Sequence, residues 1–238
     1  MKLIYFIIVM LIILVIVLRI YWPSNVHTLN ERFYSVEQVC HELNNINKIK
    51  DNILNEVINV NNQNWKDWPE KNLYATKGTW KIFPFYAFGV WANNNCKKCP
   101  HIYNFLNTIP NLKLATLSKL SPKMKLIPHM GWGNHSNNVI RCHYGLIVPS
   151  GCYISVEDEK REEIQYHKKF KWLLFDDSKM HYAENKSDTD RIVLIIDVER
   201  PNTIAKGTSV VEDTKELMEV VNSFRDSNKN LFEFQKNQ

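Results

Sequence analysis

The sequence predicts a mainly β domain, a sandwich or barrel, with a membrane-spanning helix before it and further helices flanking it. Three observations carry this. Residues Leu3 to Leu18 form an unbroken apolar run, LIYFIIVMLIILVIVL. Apolar residues then recur at helical spacing as far as Val60. From Trp80 onward the texture changes to short β-prone segments parted by Pro, Gly, Asn and Asp turns, the pattern of an all-β sandwich or barrel.

With Arg19 snorkelling, and with Ile20, Tyr21 and Trp22 added, the apolar run reaches about 20 residues, enough to cross a bilayer. Tyr21 and Trp22 suit the membrane interface. A cleaved signal peptide fits less well, because the run is long and no small-residue cleavage site follows; the first alanine in the chain is Ala75. Residues 3–22 are therefore expected to be a single-pass membrane anchor. Lys2 and the amino terminus are balanced by Arg19 and Arg32, which leaves the side of the membrane open.

Residues 23–79 read as a helical linker and support. Val36, Val39, Leu43, Ile46, Ile53, Val57 and Val60 are spaced for one long amphipathic helix or two, from about Ser35 to Asn61. The polar linker NNQNWKDWPEKN follows, with Trp65 and Trp68 in it. Residues 80–203 form the β domain, built from WKIFPFYAFG, LKLATLSKL, MKLIPH, VIRCHYGLIVP, CYISVED, IQYHKKF, WLLFDD and RIVLIIDVER, with PHIYNFLNTI as a short helix. Residues 204–238 supply a closing helix, Thr214 to Phe224, and a polar tail.

Thirty Lys and Arg against 25 Asp and Glu give a net charge of +5, spread along the chain. That is a mildly basic surface with no case for a nucleic-acid partner. The cysteines are Cys40, Cys96, Cys99, Cys142 and Cys152. A lone CxxC at Cys96 and Cys99 cannot make a four-cysteine zinc site; it is either a local disulfide or two free thiols.

The chemistry concentrates in IPHMGWGNHSNNVIRCHYGLIVP, residues 127–149. Period-two alternation puts Arg141, His143 and Gly145 on one strand face and Ile140, Cys142 and Tyr144 on the other. A buried arginine and histidine need partners, and an anionic ligand would supply one. WLLFDDSKMHYAEN brings Asp176, Asp177 and His181 to a strand end, and Arg191 opens the most apolar strand. Imidazoles suit Fe(II) and neighbouring divalent metals. Arginine binds carboxylates in a bidentate fork.

The motifs SKLSPKMKLIPHMG, RCHYGLIVP, FDDSKMHYAEN and DRIVLIIDVERP together resemble the aspartyl/asparaginyl β-hydroxylase domain family, from about Trp80 to Pro201. The resemblance implies a double-stranded β-helix (jelly-roll or cupin-like) and a dioxygenase using Fe(II), 2-oxoglutarate and O2. It implies iron ligation by His129 and His181, and 2-oxoglutarate binding by Arg191 and Ser118 at the far carboxylate. Arg141 and His143 would lie at the metal-proximal end, with Asp177 ordering a water behind the metal. Gly131 stands where many relatives of this fold carry an acidic ligand. The peptide-hydroxylase branch also has glycine there, whereas the lipid A 2-hydroxylase branch, which HYAENKSDTDRIVLIIDVERP resembles, usually keeps the acid. Halogenases of this fold also replace the acid, but the surrounding motifs resemble hydroxylases.

The expected activity is hydroxylation of aspartyl or asparaginyl residues in a peptide or protein. The alternatives are hydroxylation of a membrane lipid acyl chain and a cupin-like binding module without turnover. His135 is expected to be an ordinary loop residue, His101 and His167 to lie on the surface, and Trp65, Trp68, Trp80 and Trp91 to serve packing. Asn134 and Asn185 stand in glycosylation sequons.

Overall fold

The computed structural model describes residues 28–60, 65–74, 78–158 and 161–215, with isolated positions at Tyr5, Ile8, Met10, Leu11, Ile12 and Met218. The expected anchor at 3–22 and the closing helix at Thr214–Phe224 lie almost wholly outside these residues. Among the described residues no helix is long and apolar enough to cross a membrane.

Where one or two long helices were expected near the N-terminus, there are three short pieces. Helix α1 (Val36–Val39) opens on a capping box between Ser35 and Gln38. Cys40 then turns to extended backbone, and a 3-10 stretch covers His41–Lys48. Helix α2 (Lys50–Asn59) follows. The apolar spacing explains the middle piece. Leu43 and Ile46 are three residues apart and eclipse on a 3-10 turn, so both are fully buried there. Later come α3 (Asn93–Lys98), α4 (Pro100–Leu106) and the single turn α5 (Gly133–Ser136).

The strands are β1 (Phe33–Tyr34), β2 (Lys66–Asp67), β3 (Trp80–Ala87), β4 (Val90–Trp91), β5 (Leu112–Leu120), β6 (Met124–Lys125), β7 (Val139–Ile147), β8 (Cys152–Asp158), β9 (Arg161–Tyr166), β10 (Trp172–Phe175), β11 (Met180–Asn185) and β12 (Arg191–Glu199). They form two antiparallel sheets. The larger runs β1-β10-β7-β12-β5-β3-β2, with β4 beside β3; the smaller runs β6-β11-β8-β9.

The alternation read from β7 is the one the fold uses. Ile140, Cys142, Tyr144 and Leu146 face a core shared with Leu43, Ile46, Ile53 and Val57 of the N-terminal helices. Burying each such side chain contributes about 1.5–3 kcal/mol. The opposite face of the large sheet meets the small one: Trp80, Ile82, Leu120, Leu173 and Phe175 pack with Met124, Ile154, Val156 and Ala183. The candidate residues lie between the sheets. Ser118, Arg141, His143 and Arg191 come from the large sheet, and His181 from the small one.

Candidate active site

His129 and His181 sit opposite each other in an antiparallel bridge. Each backbone N–H donates to the other's carbonyl, at 2.9 and 2.8 Å, and the ring centroids are 4.5 Å apart. Each ring is tied the same way. His129 Nδ1 meets Ile127 O at 2.7 Å, and His181 Nδ1 meets Lys179 O at 2.9 Å. A carbonyl only accepts, so Nδ1 carries the proton in both and Nε2 keeps its lone pair, as a metal ligand requires. Burial holds both rings below the ordinary histidine value, His129 at about 3 and His181 at about 4. The neighbouring His181 pushes His129 further down. Both imidazoles are therefore neutral at pH 7, although His129 keeps part of its surface open to solvent.

A carboxylate stands beside this pair. Asp177 Oδ1 lies 3.4 Å from His181 Nε2. A Cβ on Gly131 would overlap Asp177 Oδ2, so the space a side chain at 131 would fill is already taken by Asp177. Glycine is needed for that close approach. Asp177 is locked by Arg141, whose Nη1 donates to Oδ1 at 2.5 Å. Its Oδ2 is buried without a partner. Burial raises the Asp177 carboxyl and Arg141 opposes that.

Arg141 corrects an expectation. Its Nε and Nη2 donate to Asp197 at 2.9 and 2.8 Å, while Nη1 is held by Asp177. Two carboxylates thus neutralise it, and it organises the site instead of waiting for an anion. Burial alone would raise the Asp197 carboxyl, but the charge and hydrogen bonds of Arg141 hold it well below the carboxylate range. His135, expected in a loop, is instead buried on α5, with Nε2 2.8 Å from Asp197.

Arg191 is the contrasting case. It is 2 % exposed, yet its Nε and Nη1 have no hydrogen-bond partner among the described residues. Its Nη2 reaches Ser118 Oγ at 3.4 Å. Burial pulls the guanidinium down to about 10. Ser118 Oγ also accepts from Trp80 Nε1 at 3.0 Å, and in both contacts its own hydroxyl hydrogen is left to give. His143 is buried, with Nε2 unpartnered. His167, expected on the surface, is 6 % exposed and lies against His143. Arg191 and His143 thus keep buried nitrogens without partners among the described residues.

The sequence reading missed Asp197, Glu70 and His167. Asp197 had a signal: it shares the period-two face of Arg191, and an acid inside an apolar strand needs a cation. Its cross-strand partner is Arg141. Glu70 accepts from Trp68 Nε1 and Trp132 Nε1 at 3.2 and 3.0 Å, joining two stacked indoles, of which Trp68 also stacks on Trp80. His167 had no periodic signal at all. Asp176 is more than a turn former, since it binds Arg200 Nη2 at 2.6 Å. All five cysteines are free and buried, and burial raises Cys96 and Cys99 to about 12. Asn185 is fully buried, its amide donating to Leu120, Ser121 and Thr189 carbonyls. A glycan has no access to it.

Two antiparallel sheets thus carry a facing pair of histidines with a buried carboxylate beside it, and a buried arginine with no carboxylate partner among the described residues. The chain belongs to the aspartyl/asparaginyl β-hydroxylase family, whose profile matches residues 44–201. Over 137 residues it is 35% identical to mouse aspartate beta-hydroxylase domain-containing protein 2, covering 54% of this chain and 38% of that one. It is also 35% identical over 130 residues to the ornithine lipid ester-linked acyl 2-hydroxylase of Rhizobium tropici, covering 53% of this chain and 44% of that one. The match thus spans less than half the length of either relative. Among solved structures, a 2OG-Fe(II) oxygenase family oxidoreductase from Burkholderia pseudomallei aligns with a TM-score of 0.48 at 11% identity, over 70% of this chain and 82% of that one.

Proposed function

We propose that the protein is an Fe(II)- and 2-oxoglutarate-dependent dioxygenase that hydroxylates aspartyl or asparaginyl residues of a peptide or protein. The observation that carries this is Arg191, a buried guanidinium without a carboxylate among the described residues, in a chain that also pairs two neutral histidines whose Nδ1 protons leave Nε2 its lone pair. An unpaired buried charge is costly, and a dicarboxylate would remove that cost. The donor set fits iron and 2-oxoglutarate. On this reading the two sheets are the halves of a double-stranded β-helix, and the N-terminal apolar run anchors the domain to a membrane by a single pass.

His129 and His181 would hold Fe(II) through Nε2. Arg191 and Ser118 would take the far carboxylate of 2-oxoglutarate, the guanidinium in a bidentate fork and the hydroxyl by donation. His143 Nε2 would face the same cosubstrate. Asp177, fixed by Arg141, offers its free Oδ2 to a water held beside the metal. When bound, iron with 2-oxoglutarate and O2 supplies oxidation of an unactivated C–H bond, chemistry no side chain here can perform. The tryptophans around Trp80 exclude water from the Ser118 side.

Gly131 supports the peptide substrate, since the acid usual in the lipid A 2-hydroxylase branch is absent. The lipid reading is favoured by the 35% identity to an acyl 2-hydroxylase and by the apolar N-terminus. A cupin-like module without turnover has no evident use for the whole Ser118, His143 and Arg191 set. The test is succinate release from 2-oxoglutarate, dependent on added Fe(II). Turnover that survives in His129→Ala or His181→Ala sinks the assignment. Offering a peptide library and membrane lipids to one preparation, and seeking the mass gain of one oxygen, decides the substrate.

A further inference from the structure

We propose that His167 is a positioning residue for the cosubstrate: its Nε2–H donates to His143 Nδ1, leaving His143 with an Nε2–H to give to a bound carboxylate. This rests on the 2-oxoglutarate reading above.

The geometry is that of a relay. His143 Nδ1 and His167 Nε2 are 3.1 Å apart, the rings lie within 11° of parallel, and both residues are buried. The outer nitrogens, His143 Nε2 and His167 Nδ1, have no partner among the described residues. Burial holds both rings well below the ordinary histidine range, and the Arg191 charge adds to the effect. Each ring therefore carries one proton, and the pair has two arrangements. In one, His143 donates inward and shows a lone pair outward. In the other, His167 donates inward and His143 shows an N–H outward. A carboxylate accepts and never donates, so it selects the second. Without His167, His143 could present that N–H only by leaving Nδ1 buried and unpaired, which weakens binding by about tenfold or more.

The backbone is shaped to bring the two rings together. Gly145 lies two residues from His143 on the same face of β7, and a Cβ there would overlap the Lys168 backbone. Phe170 N donates to Gly145 O at 2.7 Å, and Gly145 N to Lys171 O at 3.1 Å. The segment after β9 thus crosses directly over β7, and His167 N is pinned to Cys152 O at 2.9 Å.

The test is calorimetric titration of 2-oxoglutarate into the Mn(II)-loaded protein under argon. Wild type is compared with His167→Leu, which keeps bulk but no donor, and with His167→Gln, whose amide can replace the Nε2–H. Leu should weaken binding about tenfold or more, Gln should stay within about threefold of wild type, and Mn(II) affinity should not change. In the 2-oxoglutarate complex, loaded with diamagnetic Zn(II) in place of Mn(II), long-range 1H–15N spectra should show His143 protonated at Nε2 and bare at Nδ1. Equal binding by wild type and Leu, equal weakness of Leu and Gln, or an Nδ1–H on His143 would each overturn the proposal. If the Leu variant does not fold, the Gln variant and the tautomer decide. A wild-type protein that takes up no 2-oxoglutarate overturns the underlying reading, a result distinct from binding that ignores His167.

Discussion

Arg141 and Arg191 sit on adjacent strands of the same sheet and face the same interior, yet their surroundings are opposite. Arg141 meets Asp177 and Asp197, which hold all three of its nitrogens. Their charges push the guanidinium above its usual value although burial pulls the other way. Arg191 meets a serine at 3.4 Å and two neutral histidines, and is pulled down. One arginine is satisfied within the chain; the other finds no carboxylate among the described residues, and on the proposed reading 2-oxoglutarate supplies it. A buried cation can thus be structural or ligand-binding, and what separates the roles is whether the fold supplies its carboxylate.

The largest effect expected from this contrast is on stability at Arg141. Arg141→Met leaves Asp177 and Asp197 buried without their cation, and breaking a buried pair from one side costs about 3–5 kcal/mol. Urea unfolding of the metal-free protein measures it. A variant as stable as wild type would break the comparison at its structural end.

Arg191→Met should do the reverse. The ligand-free protein should melt at or above the wild-type temperature, because an unpaired buried charge has been removed. Binding of 2-oxoglutarate should weaken by about 2–5 kcal/mol, the usual loss when one partner of a buried charged pair is deleted. Calorimetry and thermal melting on the same samples read both signs. A destabilised variant that still binds 2-oxoglutarate would mean Arg191 is structural after all.

Gly131→Ala probes the carboxylate that Arg141 holds. The new methyl meets Asp177, which cannot retreat without loosening its contact with Arg141. Overpacking of this kind costs about 1–3 kcal/mol. Mn(II) titration followed by electron paramagnetic resonance should show weaker binding, because Asp177 lies against His181. Unchanged stability and unchanged Mn(II) affinity would show that Asp177 yields to the methyl at no cost to the site.

What the sequence made legible follows from periodicity. The two-residue alternation of β7 put Arg141 and His143 on one face and Cys142 and Tyr144 on the other, and both faces are used that way. Arg191 stood out because a charge opening an apolar strand is conspicuous. Contacts set by chain crossings carried no such mark. Whether Arg141 is free depends on Asp197, 56 positions further on, and on register that a pattern within one strand cannot fix. His167 reads as a surface residue until Gly145 is seen to let the following segment pass over β7. The N-terminal helices were legible as apolar spacing, but their break at Cys40 was not, since both helix types can bury residues three apart.

The smallest expected effect is a pH dependence shared by the neutral histidines, and its sign is fixed by their environment. His129 and His181 take up protons only near pH 3 and 4 when folded, whereas an unfolded histidine does so near 6.5. Between these values the unfolded chain binds more protons, so stability falls as pH falls. It is fully present above about pH 6.5 and is lost progressively down to the folded values. Asp177 opposes this, because its raised folded value makes acid relieve a cost there. The net slope expected is about one proton, or about 1.4 kcal/mol per pH unit, in urea unfolding of metal-free protein between pH 6.5 and 5. Arg191→Met should flatten it, because the arginine's charge helps keep His143 and His167 unprotonated. If the slope in Arg191→Met equals that of wild type, the unpaired arginine does not govern the protonation of the histidines around it.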